Sequence, residues 1–183
     1  MSLACFTLLQ ALDGRSKTLD AAADGYVRAE ACRAVWLRLA DSAPSADSSP
    51  APPLALLAAT SVNTNGRASS LTAPHGPTQA ALLAQALRLA AAGPASVAGL
   101  QLHANGTPLG DPIEVGAAAA LYGGQGMSSA VAPFAWTSIK GFSGHQEAAA
   151  GVTQLAQALH GLAHACMPPA VNLRSLNPHV AAA

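Results

Sequence analysis

Two histidines, His103 and His145, are the residues of this chain whose type and setting best fit chemistry. Each follows a short apolar run that favours a buried strand, and each lies near a turn or a helix start. The positive end of a helix dipole disfavours the imidazolium ion, so we expect both rings to be neutral. Two neutral rings that donate to one carbonyl oxygen form an oxyanion site for an enolate, where one such donor lowers a barrier by about 3 to 4 kcal/mol.

The residues around His103 predict a strand, a loop and a helix in that order. Residues 97–102 are short and apolar enough for a buried strand. Beyond the loop, Asp111 fits the N-cap, Pro112 the first helical position and Glu114 the third. His103 is therefore expected at the end of a strand, facing a helix N-terminus, where open α/β folds place their active sites. Capping is the predicted role of Asp111 and Glu114.

Strands and helices alternate along the rest of the chain, which indicates a mostly parallel sheet between helix layers. The region rich in Ser, Ala, Asp and Pro at 41–53 predicts a mobile surface loop. The spacing of apolar and turn residues predicts strands at 54–62, 97–102 and 134–139, helices at 78–92, 112–122 and 145–165, a hairpin or strand pair within 25–39, and helical structure in 1–12.

Two stretches resemble the motifs of a known family, the β-ketoacyl synthases, and in particular the ketosynthase domains of type I modular polyketide synthases. Residues 102–114, Leu-His-Ala-Asn-Gly-Thr-Pro-Leu-Gly-Asp-Pro-Ile-Glu, resemble the family's His-Gly-Thr-Gly-Thr-x-x-Gly-Asp-Pro-x-Glu. Residues 138–151, Ser-Ile-Lys-Gly-Phe-Ser-Gly-His-Gln-Glu-Ala-Ala-Ala-Gly, are similar to Lys-Thr-Asn-Ile-Gly-His-x-Glu-Ala-Ala-Ala-Gly. Weaker counterparts lie at 20–28, 63–67, 71–74 and 168–179.

The resemblance implies an α/β fold of the thiolase-like kind, in which layers of helices surround mostly parallel sheets, and implies that only part of it is present. Residues 1–183 would be a partial ketosynthase domain, its C-terminal portion, truncated at both ends. Residues 1–75 would end the N-terminal half of the fold, and 76–183 would form most of the C-terminal half.

The resemblance also implies an activity, that of an acyltransferase performing decarboxylative Claisen condensation in polyketide or fatty acid biosynthesis. His103 and His145 would be the catalytic pair, supported by Lys140, whose expected counter-charge is Glu147. Thr107 and Asn105 stand where two family threonines contact pantetheine, although Asn105 departs from the motif.

The implied partners are an acyl carrier protein and its acyl and malonyl thioesters. The phosphopantetheine would be carried by that partner, so we expect no cofactor bound directly. A homodimer, or an assembly with other synthase domains, is the expected state.

A nucleophilic cysteine is the element of the family that these residues lack. The family places it in Thr-Ala-Cys-Ser-Ser, a string that does not occur here. Cys5 lacks the Ser-Ser continuation, and Cys32 and Cys166 are expected to be small buried hydrophobic residues. Ala104 and residues 141–143 also depart from the motifs. Two alternatives remain: an enzyme fragment that is inactive alone, or a non-catalytic synthase-like protein that binds an acyl carrier protein or a complete synthase.

Composition excludes several other classes of function. Nine basic and nine acidic residues give a formal net charge of zero, which offers no attraction for nucleic acid or an anionic membrane. No apolar run is long enough to span a bilayer. Three widely spaced cysteines suggest a reducing compartment, the cytoplasm. His160 and His164 have a zinc-like spacing but no third ligand nearby, so no metal is expected. Uncovered apolar edges predict that the isolated chain aggregates or needs a partner.

Overall fold

Two short parallel strands pair in the part of the chain that the structure, a computed structural model, describes: residues 9–39, 52–66, 73–123 and 134–183. Strand β1 is Gly99–Gln101 and strand β2 is Ala135–Thr137, and Leu100 lies opposite Trp136 in the register. The predicted strands at 97–102 and 134–139 and their parallel pairing are confirmed, but each strand is shorter than predicted.

Five helices accompany this pair among the described residues. Helix α1 packs against α2, and α2 also contacts α5, so α2 lies between two other helices. Single 3-10 turns occur at Pro94–Ser96 and Glu147–Ala149. The helices are α1 at Gly76–Leu89, α2 at Gly110–Tyr122, α3 at Lys140–Ser143, α4 at Ala150–His164 and α5 at Pro178–Ala181.

The helices predicted at 78–92, 112–122 and 145–165 exist, but their ends differ from the prediction. Helix α1 begins two residues early because the His75 ring caps it, accepting from the backbone N–H of Thr78. It stops at Leu89, where Ala91 adopts φ of 50°. The predicted helix 145–165 is interrupted: a positive φ of 48° at Glu147 separates His145 from the start of α4.

Two predicted strand regions are wrong. Residues 25–39 form no hairpin; Tyr26 makes a single bridge with Gln10 and Arg28 makes one with His145. Residues 52–66 contain no strand, and the side chains of Leu54 and Val62 are 75% and 90% exposed. A buried strand needs a neighbour on its edges, and no described segment pairs with 54–62.

Two further predictions concern regions that the structure describes only in small part. Residues 9–12 are not helical, and the rest of the predicted helix 1–12 lies outside the described residues. The predicted loop at 41–53 lies outside them as well, except for its last two residues.

The buried apolar core includes both neighbours of His103 in the chain. Its members are Leu19, Leu102, Ala104, Val115 and Val180, with Leu100 and Trp136 packed against it. These residues come from β1, β2, α2, α5 and the loop at 16–22, so the core joins distant parts of the sequence. The two residues that flank His103 are therefore anchored in the core.

The loop at 16–22 is fastened to the C-terminal segment by Asp20. Its carboxylate accepts backbone N–H groups from Ala22 at 2.8 Å, Arg174 at 2.6 Å and Ser175 at 2.9 Å. Burial raises the pKa of this carboxyl, but these hydrogen bonds outweigh the effect, so the pKa lies below its ordinary value. Asp20 is therefore held as an anion that connects the two segments.

Among the described residues, no helix has the length and apolar character required to cross a membrane.

Candidate active site

The structure brings His103 and His145 together, as the sequence predicts. Their ring centroids lie 5.4 Å apart, and the ring planes meet at 84°, an edge-on arrangement. The ring of Tyr26 contacts His145 from another side, with centroids 5.0 Å apart. Both histidine-bearing loops follow neighbouring parallel strands, whose carboxyl ends share one edge of the sheet.

The surroundings of both rings favour the neutral imidazole. Partial burial, the ammonium of Lys140 and the ring of His145 together lower the pKa of His103 to about 4. Partial burial and Lys140 also lower the pKa of His145, against a small opposing effect of Glu147. The direction agrees with the expectation, and its causes are desolvation and the nearby Lys140 cation.

Lys140 supplies that cation from within the protein, with a side chain that is fully buried. Its Nζ donates to the backbone carbonyl oxygen of His103 at 2.5 Å. Burial lowers the pKa of Lys140 to about 8, and the carboxylates of Glu114 and Asp111 partly offset this effect.

The expected ion pair between Lys140 and Glu147 is wrong. Glu147 instead pairs with Arg28, whose Nε lies 3.1 Å from Oε1, and both side chains are close to half exposed. The charges that compensate Lys140 belong to Glu114 and Asp111 of α2.

Asp111 and Glu114 do not have the capping role that the sequence predicts. Leu109 occupies the N-cap position of α2, and Asp111 lies in the first turn. Asp111 Oδ2 accepts the backbone N–H of Leu19 at 2.9 Å and that of Gly106 at 3.2 Å. Burial raises the pKa of both carboxyls, and hydrogen bonds from backbone N–H groups oppose the rise.

Glu114 binds the main chain on either side of the His103 side chain. Oε1 accepts the backbone N–H of His103 at 2.6 Å, and Oε2 accepts that of Ala104 at 2.7 Å. The resemblance alone gave no reason to assign this contact. An acidic residue on the apolar face of a helix, where burial demands a partner, is the signal in the sequence that indicates it.

Two further polar residues, Ser138 and Gln154, complete the support and were not singled out from the sequence. Ser138 Oγ donates to the carbonyl oxygen of Ala104 at 2.9 Å, and Gln154 Nε2 donates to that of Leu102. Because Thr137 accepts the N–H of Leu102, every backbone N–H and C=O of residues 102–104 has a partner. We call this set of contacts the loop clamp.

Thr107 and Asn105 lie together just beyond the loop clamp. Thr107 Oγ1 donates to Asn105 Oδ1 at 3.0 Å, and both residues are half-buried. The pair presents one hydroxyl and one amide group at the mouth of the loop that carries His103.

The described cysteines and the two histidines of α4 take no part in the contacts described above. Cys32 and Cys166 are exposed, so the expectation that they are buried is wrong, and Cys5 lies outside the described residues. The rings of His160 and His164 approach to 4.3 Å on α4. Within the described ranges, no three His, Cys, Asp or Glu residues form a group that could hold a metal ion.

Comparison with known proteins gives consistent matches. The chain is 37% identical over 171 residues to a component of the phenolphthiocerol/phthiocerol polyketide synthase of Mycobacterium tuberculosis, covering 93% of this chain and 8% of that protein. It is 37% identical over 168 residues to orsellinic acid synthase ArmB of Armillaria ostoyae, covering 91% of this chain and 7% of the relative. The chain thus spans less than a tenth of these relatives.

Solved ketosynthase structures share the fold. The oxazolomycin ketosynthase domain OzmH KS7 of Streptomyces albus superposes with a TM-score of 0.79 at 28% identity, covering 96% of this chain and 30% of that one. The module 1 ketosynthase of the bacillaene synthase from Bacillus amyloliquefaciens gives 0.78 at 27% identity, covering 94% and 30%. The expected partial thiolase-like α/β fold is confirmed.

The family match covers the site itself. The family described as "Beta-ketoacyl synthase, C-terminal domain" matches residues 54–174, a range that includes both histidines, Lys140, Glu114 and Gln154. Since this match spans more than half of the sequence, the chain belongs to the β-ketoacyl synthase family, in the part that forms its C-terminal domain.

Proposed function

We propose that this chain provides the two histidines and the lysine of a ketosynthase active site, which performs decarboxylative Claisen condensation in polyketide or fatty acid biosynthesis. The observation that carries the proposal is the edge-on pair of His103 and His145, with ring centroids 5.4 Å apart, together with the buried Lys140 that is bonded to the backbone of His103. The relatives' identity as polyketide synthases supports the same reaction class.

The two rings suit the first step, loss of carbon dioxide from a malonyl thioester. Each neutral imidazole donates one N–H to the thioester carbonyl oxygen. The bond between the central carbon and the carboxylate breaks, CO₂ leaves, and its electron pair passes to the thioester as an enolate. The enolate carbon then attacks the carbonyl of an acyl thioester, and the thiolate of that thioester leaves.

Lys140 serves this step through its charge. An ammonium group close to both rings disfavours imidazolium, so each histidine keeps one N–H to donate and does not become a cation. Lys140 touches the backbone of His103 rather than its ring, so its role is electrostatic and positional.

The substrate would arrive on the phosphopantetheine arm of an acyl carrier protein. Thr107 and Asn105 fit such an arm because they offer a hydroxyl and an amide, the groups that pair with pantetheine amides. No cofactor bound directly by this chain is part of the proposal. We further propose a cytoplasmic enzyme that works as a homodimer or beside other synthase domains, as expected from the sequence.

The acyl-accepting cysteine of the reaction is not among these 183 residues in its family context. We therefore expect this chain alone to decarboxylate a malonyl thioester slowly but to form no condensation product. Decarboxylation needs only stabilisation of the enolate oxygen, whereas condensation also needs an acyl thioester held beside it.

The test is release of CO₂ and formation of acetyl thioester from malonyl-pantetheine by the purified chain. His103→Ala and His145→Ala should each reduce the rate by about 10² to 10³-fold, because each removes one donor to the enolate oxygen. His160→Ala, an exposed histidine on α4, is the matched control and should leave the rate unchanged. An unchanged rate in both site variants would contradict the proposal, and condensation of acyl and malonyl carrier-protein thioesters would contradict the expected inactivity.

A second candidate function is a non-catalytic synthase-like protein that binds an acyl carrier protein or a complete synthase. The exposed apolar side chains favour it, among them Trp36 at 89% and Leu39 at 81% exposure. Stable co-elution with either partner, together with no decarboxylation by the chain or by the complex, would favour this alternative over the first.

A further inference from the structure

Gln154 makes a hydrogen bond that crosses from one histidine segment to the other. It lies near the start of α4, the helix that follows His145, and its Nε2 donates to the carbonyl oxygen of Leu102, the residue before His103. Its neighbour Thr153 bonds within its own helix, to the carbonyl oxygen of Ala149 at 3.0 Å. Gln154 is thus the member of the loop clamp that α4 contributes.

The other contacts of the loop clamp come from different elements. Glu114 belongs to α2, whereas Ser138 follows β2 and Lys140 is the first residue of α3. A loop held only by these groups would keep its shape but would be free to shift relative to α4. The Gln154 contact removes that freedom, because a buried carbonyl oxygen that loses its donor pays the cost of desolvation.

We propose that Gln154 is a positioning residue, which sets the distance between the His103 and His145 rings by tying α4 to the residue before His103. The proposal rests on the proposed function in that the pair it positions is the one assigned there to the enolate. Gln154 touches no reacting atom, so its effect acts through His103.

The direct test uses the unmodified chain. A through-hydrogen-bond scalar coupling measured by NMR should connect Nε2 of Gln154 with the carbonyl carbon of Leu102. If that coupling is absent while couplings between β1 and β2 are detected, the contact does not exist and the proposal is overturned.

The second test compares Gln154→Leu, which keeps similar size and removes the donor, with Gln157→Leu on the same helix. Within the described residues, no hydrogen bond joins the Gln157 side chain to residues 102–104. In Gln154→Leu, the His103 ring should be held less firmly beside Lys140 and His145 and titrate at a pH above about 4, towards its ordinary value of 6.5. The amides of His103 and Ala104 should exchange about fivefold faster, while those of β1 stay unchanged.

Each outcome separates a positioning role from general destabilisation. Equal acceleration of all amides, or an equal change of the His103 titration in Gln157→Leu, would overturn the proposal. These measurements do not depend on catalysis. They would remain valid if the condensing function were disproved, and a negative result from them would not affect the decarboxylation test.

Discussion

Glu114 holds the main chain of His103 rather than its ring: the carboxylate oxygen Oε1 lies 2.6 Å from the backbone nitrogen of His103. The second oxygen holds the next residue, Ala104, at 2.7 Å. A helix side chain therefore fixes the direction in which the histidine leaves the strand. Enzyme sites that need atoms within about half an ångström depend on such support from residues that never touch the substrate.

Glu114→Gln should destabilise the fold by about 2 to 4 kcal/mol, because one N–H then faces an amide donor and Lys140 loses a counter-charge. Urea unfolding followed by circular dichroism measures the change. Glu147→Gln is the control, since it breaks an exposed pair with Arg28 and should cost less than about 1 kcal/mol. Equal losses in both variants would contradict the assigned role of Glu114.

Lys140→Met should raise the pKa of His103 above about 4, because the nearby positive charge is removed. The value should stay below 6.5, since desolvation, the larger cause, remains. Nitrogen-15 NMR of labelled histidine records the titration. Lys17→Met is the control, because the Lys17 ammonium pairs with Asp13 and Asp24. This substitution should leave the pKa of His103 unchanged.

The contribution of His103 to stability should fall as the pH drops from 6.5 towards 4. In this window the unfolded chain protonates His103 while the folded chain does not, so acid favours unfolding. His145, with a lowered pKa, contributes with the same sign. The free energy of unfolding, measured at several pH values, should depend less steeply on pH in His103→Asn than in the unmodified chain. If the two profiles of unfolding free energy against pH are parallel, His103 is not a cause of the acid sensitivity.

Replacing either of two glycines near the site by alanine should change the stability of the fold, in opposite directions for the two positions. Gly144 has φ of 71°, and an added Cβ would lie 2.9 Å from that of Ala29, so Gly144→Ala should cost about 2 kcal/mol or more. Gly151 lies inside α4 with open space around it, so Gly151→Ala should stabilise by about 1 kcal/mol. A melting temperature below that of the unmodified chain for Gly144→Ala, and above it for Gly151→Ala, would confirm both predictions.

His75 should stabilise α1, since its Nδ1 accepts the backbone N–H of Thr78 at 3.3 Å. His75→Ala should cost about 1 kcal/mol, and His75→Asp should restore most of it, because aspartate is a strong N-cap acceptor. Urea midpoints compare the three chains. If alanine and aspartate behave alike, the ring does not cap the helix.

The sequence was sufficient to predict that the two histidine loops meet, because both follow neighbouring parallel strands. It was not sufficient to find the partner of Lys140. Glu147 is close to Lys140 in sequence, but it has a positive φ of 48° and pairs with Arg28 instead. The carboxylate that compensates Lys140 is that of Glu114, which belongs to a different helix, α2.

Strand predictions failed where tertiary partners decide the structure. The apolar pattern at 54–62 fits a central strand, yet a strand exists only when another segment pairs with it, and no described segment does. Gln154 was missed for a related reason: whether a polar side chain on a helix reaches a loop depends on the packing distance, which periodicity does not encode.

The hydrogen bonds of Asp20 also affect the order in which parts of the site form. Asp111, which supports the loop after His103, binds the backbone of Leu19, and the next residue, Asp20, binds Arg174 and Ser175. These contacts join residues more than 150 positions apart, and such long loops close slowly. The contacts of Asp20 with residues 174 and 175 can therefore form only after those residues have left the ribosome, later than both histidines.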